Sequence, residues 1–286
     1  MGLEIKGKEK AISWGEFESE VDLLKKIVTK TVKEEPDQYV QEWLFRGQSD
    51  SQWGLKTSLE RYLFPQKQPE NIEIDVGVYF QQVRSIIPAL NSLTGRKYER
   101  TILAPDSRNT GWSLSTLELL YYLRHHGFPT PLLDWSRSYL VAAFFAFQSA
   151  RDDCDVAIYA YNETLIKSRG GWVGEAQINT LGPYVETHRR HYLQQSEYTV
   201  CMSEKGRNSE KTISFRNHED AVKENPADHP MVKYIIDGKE KNSVLKKLDE
   251  ANINAYTLFG SEESLMNMLA FREIASRRDY FSLEIE

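Results

Sequence analysis

Residues 132–147, Leu-Leu-Asp-Trp-Ser-Arg-Ser-Tyr-Leu-Val-Ala-Ala-Phe-Phe-Ala-Phe, decide the fold. The first four are mostly large and apolar, which favours a buried strand or tight extended segment. Ser136 or Ser138 then provides the N-cap of a helix that runs from Tyr139 to Gln148. That helix carries small and aromatic residues on nearly every side, as a fully buried helix does. The segment therefore predicts a strand followed directly by a core helix.

Further strands and helices are predicted on both sides of this segment. Apolar runs predict strands at 43–45, 156–161, 198–202 and 232–236. Capping boxes and helical spacing of apolar residues predict helices at about 13–32, 55–62, 74–87, 115–125, 244–248 and 262–275. These elements intermix without a regular βαβ rhythm. The sequence thus predicts an α+β fold, with a mixed or antiparallel sheet core flanked by helices.

Four boundaries follow from single residues. Gly47 is expected to end the strand after Arg46 in a turn, and Pro88 is expected to end the helix before it. Ser115 is expected to cap the next helix, which should stop where Gly127 follows it. The segment from Thr94 to Gly111 is polar and rich in turn formers, so we predict a loop that acts as a flap.

The chain is long enough for one large domain or two small ones. We expect an N-terminal helix over residues 1–35 and a core domain over residues 36–205. Residues 206–286 are expected to form a strand–helix extension that packs on the core. No internal repeat is seen.

Composition excludes several classes of function. The net charge of −6 argues against a general nucleic-acid binder, which needs a positive field. The two cysteines, Cys154 and Cys201, have no metal spacing and favour a reducing compartment. No signal peptide is predicted, and the longest apolar stretch is too short to cross a membrane. P-loop, GxGxxG and GxSxG patterns are absent. We therefore expect a cytoplasmic protein without a metal or a membrane partner.

Arg46 is the first candidate for a site, because it follows a buried apolar strand and needs an anionic partner there. Asp134 would make it a structural ion pair, while a phosphate or carboxylate would make it a ligand contact. Gly47 allows a ligand or another backbone to approach closely. The side chains that would add amide and stacking surface to such a pocket are Gln48, Trp53 and Trp135.

His125 is the second candidate. It either caps the end of its helix or contributes to a pocket, since the Gly-Phe-Pro-Thr turn that follows it, ending at Thr130, fixes side-chain directions. His126 points about 100° away from it on a helix, so the two cannot easily share a metal ion. A serine triad of His125, Asp134 and Ser136 is disfavoured because its members are too close in sequence.

These residues carry a resemblance to the FRG-domain family, named for Phe-Arg-Gly. The segments that resemble its motifs are 44–50 with Trp53 and Leu55, 125–130, 132–136, 141–146, Arg190 with 194–199, and 251–254 with 258–259. The resemblance spans about residues 12–275. Pro131 stands where the family usually has a second arginine, which removes an anion contact. Ser196 stands where it usually has glycine, which puts the tight turn there in question.

A second resemblance is to Arg-Ser-Glu ADP-ribosyltransferases, and it implies an ADP-ribosyltransferase-like sheet. It implies NAD as cofactor, with Arg46 at the phosphates and Ser136 at a ribose. Gln194 or Glu197 would take the third position, which is that of the glutamate in the Arg-Ser-Glu set. The usual Glu-x-Glu spacing is missing.

The predicted function is therefore ADP-ribosyl transfer to a protein or nucleic-acid acceptor, or NAD hydrolysis. The predicted catalytic residues are His125, Ser136, Gln194 and Glu197. The predicted cofactor-binding residues are Arg46, Gly47, Gln48, Trp53, Thr130, Asp134 and Trp135. The alternative is a non-catalytic module that recognises a nucleotide, a peptide or an oligonucleotide end, in a setting such as bacterial defence or a toxin system.

Overall fold

The structure is a computed structural model of the chain. It describes residues 3–37, 40–66, 69, 71–100, 112–152, 154–164, 174–206, 212–226 and 228–276. Within these ranges a mixed sheet packs against helices, which confirms the predicted α+β class. None of the helices in these ranges combines the length and the apolar character needed to cross a bilayer.

The strands of the described residues form one sheet. They are β1 (Glu4–Lys6), β2 (Leu44–Gln48), β3 (Ile74–Asp75), β4 (Leu132–Ser136), β5 (Val156–Tyr161), β6 (Gln177–Thr180), β7 (Ser196–Lys205), β8 (Thr212–Phe215) and β9 (Met231–Ile236). Their order is β1-β9-β5-β2-β4-β7-β8-β3, and β6 pairs with β7 off this path. β1 and β9 are parallel, and the other pairs are antiparallel. Strands from both ends of the chain therefore share this sheet, while the predicted domain boundaries stay a prediction.

The helices in the same ranges are α1 (Trp14–Glu34), α2 (Ser58–Leu63), α3 (Val76–Thr94), α4 (Leu114–His125), α5 (Tyr139–Phe147), α6 (Arg190–Leu193), α7 (His218–Glu224), α8 (Lys241–Glu250), α9 (Ala255–Phe259) and α10 (Glu262–Glu273). A 3-10 turn at Gly238–Glu240 precedes α8. Ser138 caps α5 through its hydroxyl, as one of the two predicted serines. Gly127 follows α4 with φ of +82°, which confirms its predicted position after the helix.

Two predicted helix boundaries are wrong. α3 continues through Pro88 to Thr94, because Ile87 and Leu90 on both sides of the proline pack into the core and outweigh its lost backbone bond. The hydroxyl of Ser113 accepts the Thr116 backbone N–H, so the N-cap of α4 lies two residues before the predicted cap at Ser115. Residues 101–111 of the predicted flap lie outside the described residues.

Gly47 lies inside β2 instead of ending it, because it pairs with Ile158 of β5 and the strand runs on to Gln48. The reason for a glycine is the closeness of α5. A Cβ added to Gly47 would lie 2.0 Å from the carbonyl oxygen of Ala142. The predicted close approach is therefore made by the backbone of α5, which fixes this helix against β2.

β2 and β4 are neighbours in the sheet but pair at one position only. Phe45 pairs with Ser136, whereas β2 pairs with β5 and β4 pairs with β7 along their lengths. The two strands consequently diverge from that point. A divergence inside a sheet leaves backbone groups without a strand partner and opens a notch between the strands.

Candidate functional site

A cavity of about 380 Å³ lies at this notch, and we name it the Arg46 pocket. Its wall combines residues of β2, β4, α4, α5, α6, β7 and α9. The residues that line it are Phe45, Arg46, Gly47, Gln48, Ser49, Trp53, Arg124, His125, Asp134, Trp135, Ser136, Ala142, Phe145, Arg190, Gln194, Ser196 and Phe259. Most of the predicted site residues thus meet in one place, and Thr130 and Glu197 are the two that do not.

Arg46 has no carboxylate partner among the described residues. Its Nη1 donates a hydrogen bond to the backbone carbonyl oxygen of Asp134 at 2.7 Å. Its Nε is buried and has no hydrogen-bond partner. Burial lowers the pKa of Arg46 to about 10, against the opposing attraction of the Asp134 carboxylate. The guanidinium keeps its charge at neutral pH and retains unused donor capacity beside an open cavity.

Of the two alternatives for Arg46, the ion pair with Asp134 is not formed, because Arg124 holds the Asp134 carboxylate. Nε of Arg124 lies 2.9 Å from both carboxylate oxygens, and its Nη2 lies 2.5 Å from Oδ2. Burial alone would raise the pKa of Asp134, but Arg124, together with Arg46 and His125, outweighs burial and the pKa is lowered. Arg46 is left with the backbone carbonyl of the same residue.

His125 is the last residue of α4 and lies in the pocket wall. Its Nε2 is 2.8 Å from the hydroxyl of Tyr198, and that hydroxyl is 3.2 Å from Nδ1 of His191. Burial lowers the pKa of His125 to about 4, so its imidazole is neutral at physiological pH. His125 therefore lies at the end of its helix and in the pocket wall at once, so the two interpretations do not exclude each other.

Ser136 and Gln194 meet on one side of the pocket. The Ser136 hydroxyl donates to the Gln194 backbone carbonyl at 2.7 Å and accepts from the Ser138 N–H at 3.0 Å. The Gln194 amide donates to the Leu258 carbonyl at 3.1 Å. Because Ser136 makes no hydrogen bond to His125, the disfavoured serine triad is not formed. Gln195 has φ of +48°, so this residue makes the tight turn before Ser196.

Glu197 and Thr130 lie outside the wall. Glu197 pairs with Trp135 in register, and its side chain, 1% exposed, forms an ion pair with Arg137. Burial raises the pKa of Glu197 against the opposing effect of Arg137. Thr130 is buried and held through its backbone by Ser58. Their predicted roles in catalysis and cofactor binding stay predictions.

The two candidate stacking residues differ in access. Trp135 is 3% exposed, and its indole N–H donates to the Thr199 hydroxyl at 2.8 Å. Trp53 is 54% exposed, while its backbone is fixed by bonds to Asp50 and Tyr159. A fixed, exposed tryptophan beside a cavity offers a ring face that a ligand can reach.

Sequence reasoning missed Arg124, Arg190, Phe145 and Phe259 as pocket residues. Nε of Arg190 donates to the Phe259 carbonyl at 3.2 Å, and its guanidinium lies 5.4 Å from the Phe259 ring centroid. The Phe145 and Phe259 rings pack edge to face at 5.8 Å. Position next to His125 was a usable signal for Arg124. The phenylalanines followed an ordinary core pattern that no sequence signal separates from packing.

The charges of the wall favour an anion. Among the described residues, three arginines line the pocket, whereas Asp134 is the one carboxylate in its wall and is already neutralised by Arg124. Low-dielectric walls with excess positive charge attract anionic ligands. In the described ranges no three His, Cys, Asp or Glu side chains come together in a group that could hold a metal ion.

Comparison with known proteins identifies one domain in the chain. The model of the FRG domain matches residues 41–155, a range that contains β2, β4, α4 and α5 and ends just before β5. No curated protein matches the chain, and no solved structure matches it. The wider resemblance predicted for residues 12–275 stays a prediction beyond that range. Residues 41–155 of the chain therefore match the FRG domain.

Proposed function

We propose that the Arg46 pocket binds NAD, with Arg46 as the contact for its pyrophosphate. The observation that carries this proposal is the guanidinium of Arg46, which has a buried Nε without a partner and makes no hydrogen bond or ion pair with a carboxylate of the described residues. A buried guanidinium without a carboxylate is costly unless something else supplies the negative charge. A phosphate in the adjoining cavity would supply that charge and accept its N–H groups.

The remaining wall supports a nucleotide over a small inorganic anion. Phe145, Phe259 and the exposed Trp53 provide aromatic surface in the same cavity as the arginines. Nucleotide sites pair aromatic or apolar surface for the base with a few charged groups for the phosphate. The notch between β2 and β4 brings the two kinds of surface together.

Thermal unfolding with and without NAD tests the binding. A ligand at about 100 times its Kd stabilises the folded state by about 2.7 kcal/mol, which raises Tm by several degrees. We expect this rise for the native protein and none for Arg46→Gln. Arg272→Gln is the matched control, since Arg272 pairs with Asp249 outside the pocket. A rise of equal size in Arg46→Gln, or none in the native protein, would contradict the proposal.

Cleavage of the nicotinamide–ribose bond is a second candidate, favoured by the meeting of His125, Ser136 and Gln194 in the pocket wall. The resemblance to ADP-ribosyltransferases implies a ribose contact for Ser136 and a third-position role for Gln194. Glu197, the other third-position candidate, lies outside the pocket wall and pairs with Arg137. A wall without a free carboxylate favours recognition over turnover, because no acid is placed to polarise the ribose hydroxyl.

Mass analysis of nicotinamide separates the two candidates. The recognition module binds NAD and releases no nicotinamide at high protein concentration. Turnover releases nicotinamide at a rate that falls in Gln194→Ala, while the Tm rise with NAD is kept. ADP-ribose found on an added protein or nucleic acid would identify transfer, and free ADP-ribose would identify hydrolysis.

A further inference from the structure

A chain of three side chains runs from the Arg46 pocket into the interior. His125 lies in the wall, the Tyr198 hydroxyl joins its Nε2 at 2.8 Å, and Nδ1 of His191 follows at 3.2 Å. Tyr198 and His191 are both fully buried. The Tyr121 ring stacks on Tyr198 at a centroid distance of 3.8 Å, and the His191 ring lies parallel to Tyr198 at 5.6 Å. The packing fixes this chain in one geometry.

The hydrogen-bond pattern of this chain tolerates a proton on His125. A hydroxyl between two imidazoles donates to one ring and accepts from the other. When His125 is an imidazolium, its Nε2–H donates to Tyr198, and the Tyr198 hydroxyl donates to Nδ1 of His191. No bond of the chain is lost in that state, and Nδ1–H of His125 is left as a free donor.

The protein groups around His125 keep it neutral. The groups that face it are Asp134 of β4, Arg124 of α4, Tyr198 of β7, His191 of α6 and His188 just before α6, with Arg46 and Arg190 in the same pocket. Burial acts against the charged form, and Arg124, His188 and His191 act in the same direction. Asp134 opposes them, although its carboxylate is already engaged by Arg124. An anion that enters the pocket would reverse this balance.

We propose that NAD binding is coupled to the uptake of one proton by His125, which becomes an imidazolium contact for the ligand's phosphate. The proton comes from solvent, and no other bond is made or broken. This inference rests on the proposed function, and it assigns to His125 a role as a ligand contact that Tyr198 and His191 position.

The sign of the pH dependence follows. The pKa of His125 rises from its low value in the free protein when the phosphate is bound, so the proton binds to the complex more tightly than to the free protein. Affinity for NAD then increases as pH falls from about 7 towards the free pKa, by up to about tenfold per pH unit. Each phosphorus of the NAD pyrophosphate carries one ester, one anhydride bond and one strongly acidic hydroxyl, so the group keeps a constant charge over this range.

Calorimetric titration with NAD at about pH 6, in two buffers of different ionisation heat, counts the protons taken up. We expect uptake approaching one proton per NAD for the native protein and none for His125→Gln, which keeps a reduced affinity through Arg46. Tyr198→Phe keeps the ring stack but removes the bridge, so its uptake should fall. A purely structural role of Tyr198 would leave the proton count unchanged.

His188→Asn is the matched control. The His188 ring lies 6.2 Å from that of His125, and its Nδ1 accepts the Arg190 N–H, an acceptor that asparagine retains. We expect native proton uptake in this variant. Binding without uptake in the native protein, or uptake that persists in His125→Gln or disappears in His188→Asn, would overturn the inference while the proposed function stands. No heat of binding in either buffer would overturn both.

Discussion

Arg46 and Arg216 show how differently one protein can surround two arginines. Each has a buried Nε without a hydrogen-bond partner. Arg216 is 4% exposed, with its Nη2 2.5 Å from Glu224 and its Nη1 3.8 Å from Glu73. Arg46 instead meets a backbone carbonyl through its Nη1 and no carboxylate in the described part of the chain.

The two arginines also differ in the space beside them. The cavity beside Arg216 has no room for a water molecule, whereas the Arg46 pocket holds about 380 Å³. A guanidinium that is matched to carboxylates in closed packing is explained by the fold alone. One that adjoins open space and lacks an anion is explained better by a ligand. Partner and space together separate a structural arginine from a candidate binding arginine.

The largest effect on stability is expected at Arg216. Arg216→Met leaves the carboxylate of Glu224 beside an apolar side chain, and Glu224 is only about one third exposed. Loss of one partner of a buried pair costs about 3 kcal/mol or more of unfolding free energy. Urea unfolding measures the loss. If Arg216→Met lost less than about 1 kcal/mol of unfolding free energy, the distinction between Arg216 as a structural arginine and Arg46 as a candidate binding arginine would have no energetic basis.

Asp134→Asn should have an intermediate effect, because it removes the charge that Arg124 and Arg46 both face while keeping the side-chain shape. We expect a loss of about 1.5 kcal/mol, since hydrogen bonds to charged groups are worth about 1.5–3 kcal/mol and the Asp134 side chain is partly exposed to the pocket. Urea unfolding of both proteins over a range of pH gives this difference.

The pH dependence of that difference has a definite sign. The folded pKa of Asp134 is lowered, so its contribution is present above its unfolded pKa of about 3.9 and is lost as pH falls through the folded value. The difference in stability between the native protein and Asp134→Asn should therefore stay constant from neutral pH down to about pH 4. It should shrink below that, and a difference that shrinks near neutrality would assign the titration to another group.

The sequence predicted the elements around the site better than it predicted the partners inside it. The all-round apolar pattern of α5 and the capping serine Ser138 were visible as local patterns. α3 was predicted too short, because the core packing of Ile87 and Leu90 is not a local property of the chain. Local rules describe an element until tertiary contacts outweigh them.

Side-chain partners depend on register and reach, which the sequence does not contain. Glu197 was one of two candidates for the third position of the site, yet its neighbour Ser196 lines the pocket, while Glu197 pairs with Trp135 in register and with Arg137 through its side chain. Neighbouring strand residues point to opposite faces, so a choice between positions 196 and 197 needs the register. Arg124, and not Arg46, pairs with the Asp134 carboxylate, and this choice of partner likewise depends on where α4 ends.

Arg46→Met should change stability least, within about 1 kcal/mol in either direction. The substitution loses one hydrogen bond to the Asp134 carbonyl, worth about 0.5–1.5 kcal/mol. It also removes a desolvated guanidinium that has a buried, unbonded Nε, which offsets that loss. Urea unfolding of Arg46→Met and Arg216→Met under the same conditions compares the loss of unfolding free energy at the two arginines. If Arg46→Met lost as much unfolding free energy as Arg216→Met, Arg46 would be a structural residue. The main observation in favour of an anion in the pocket would then be removed.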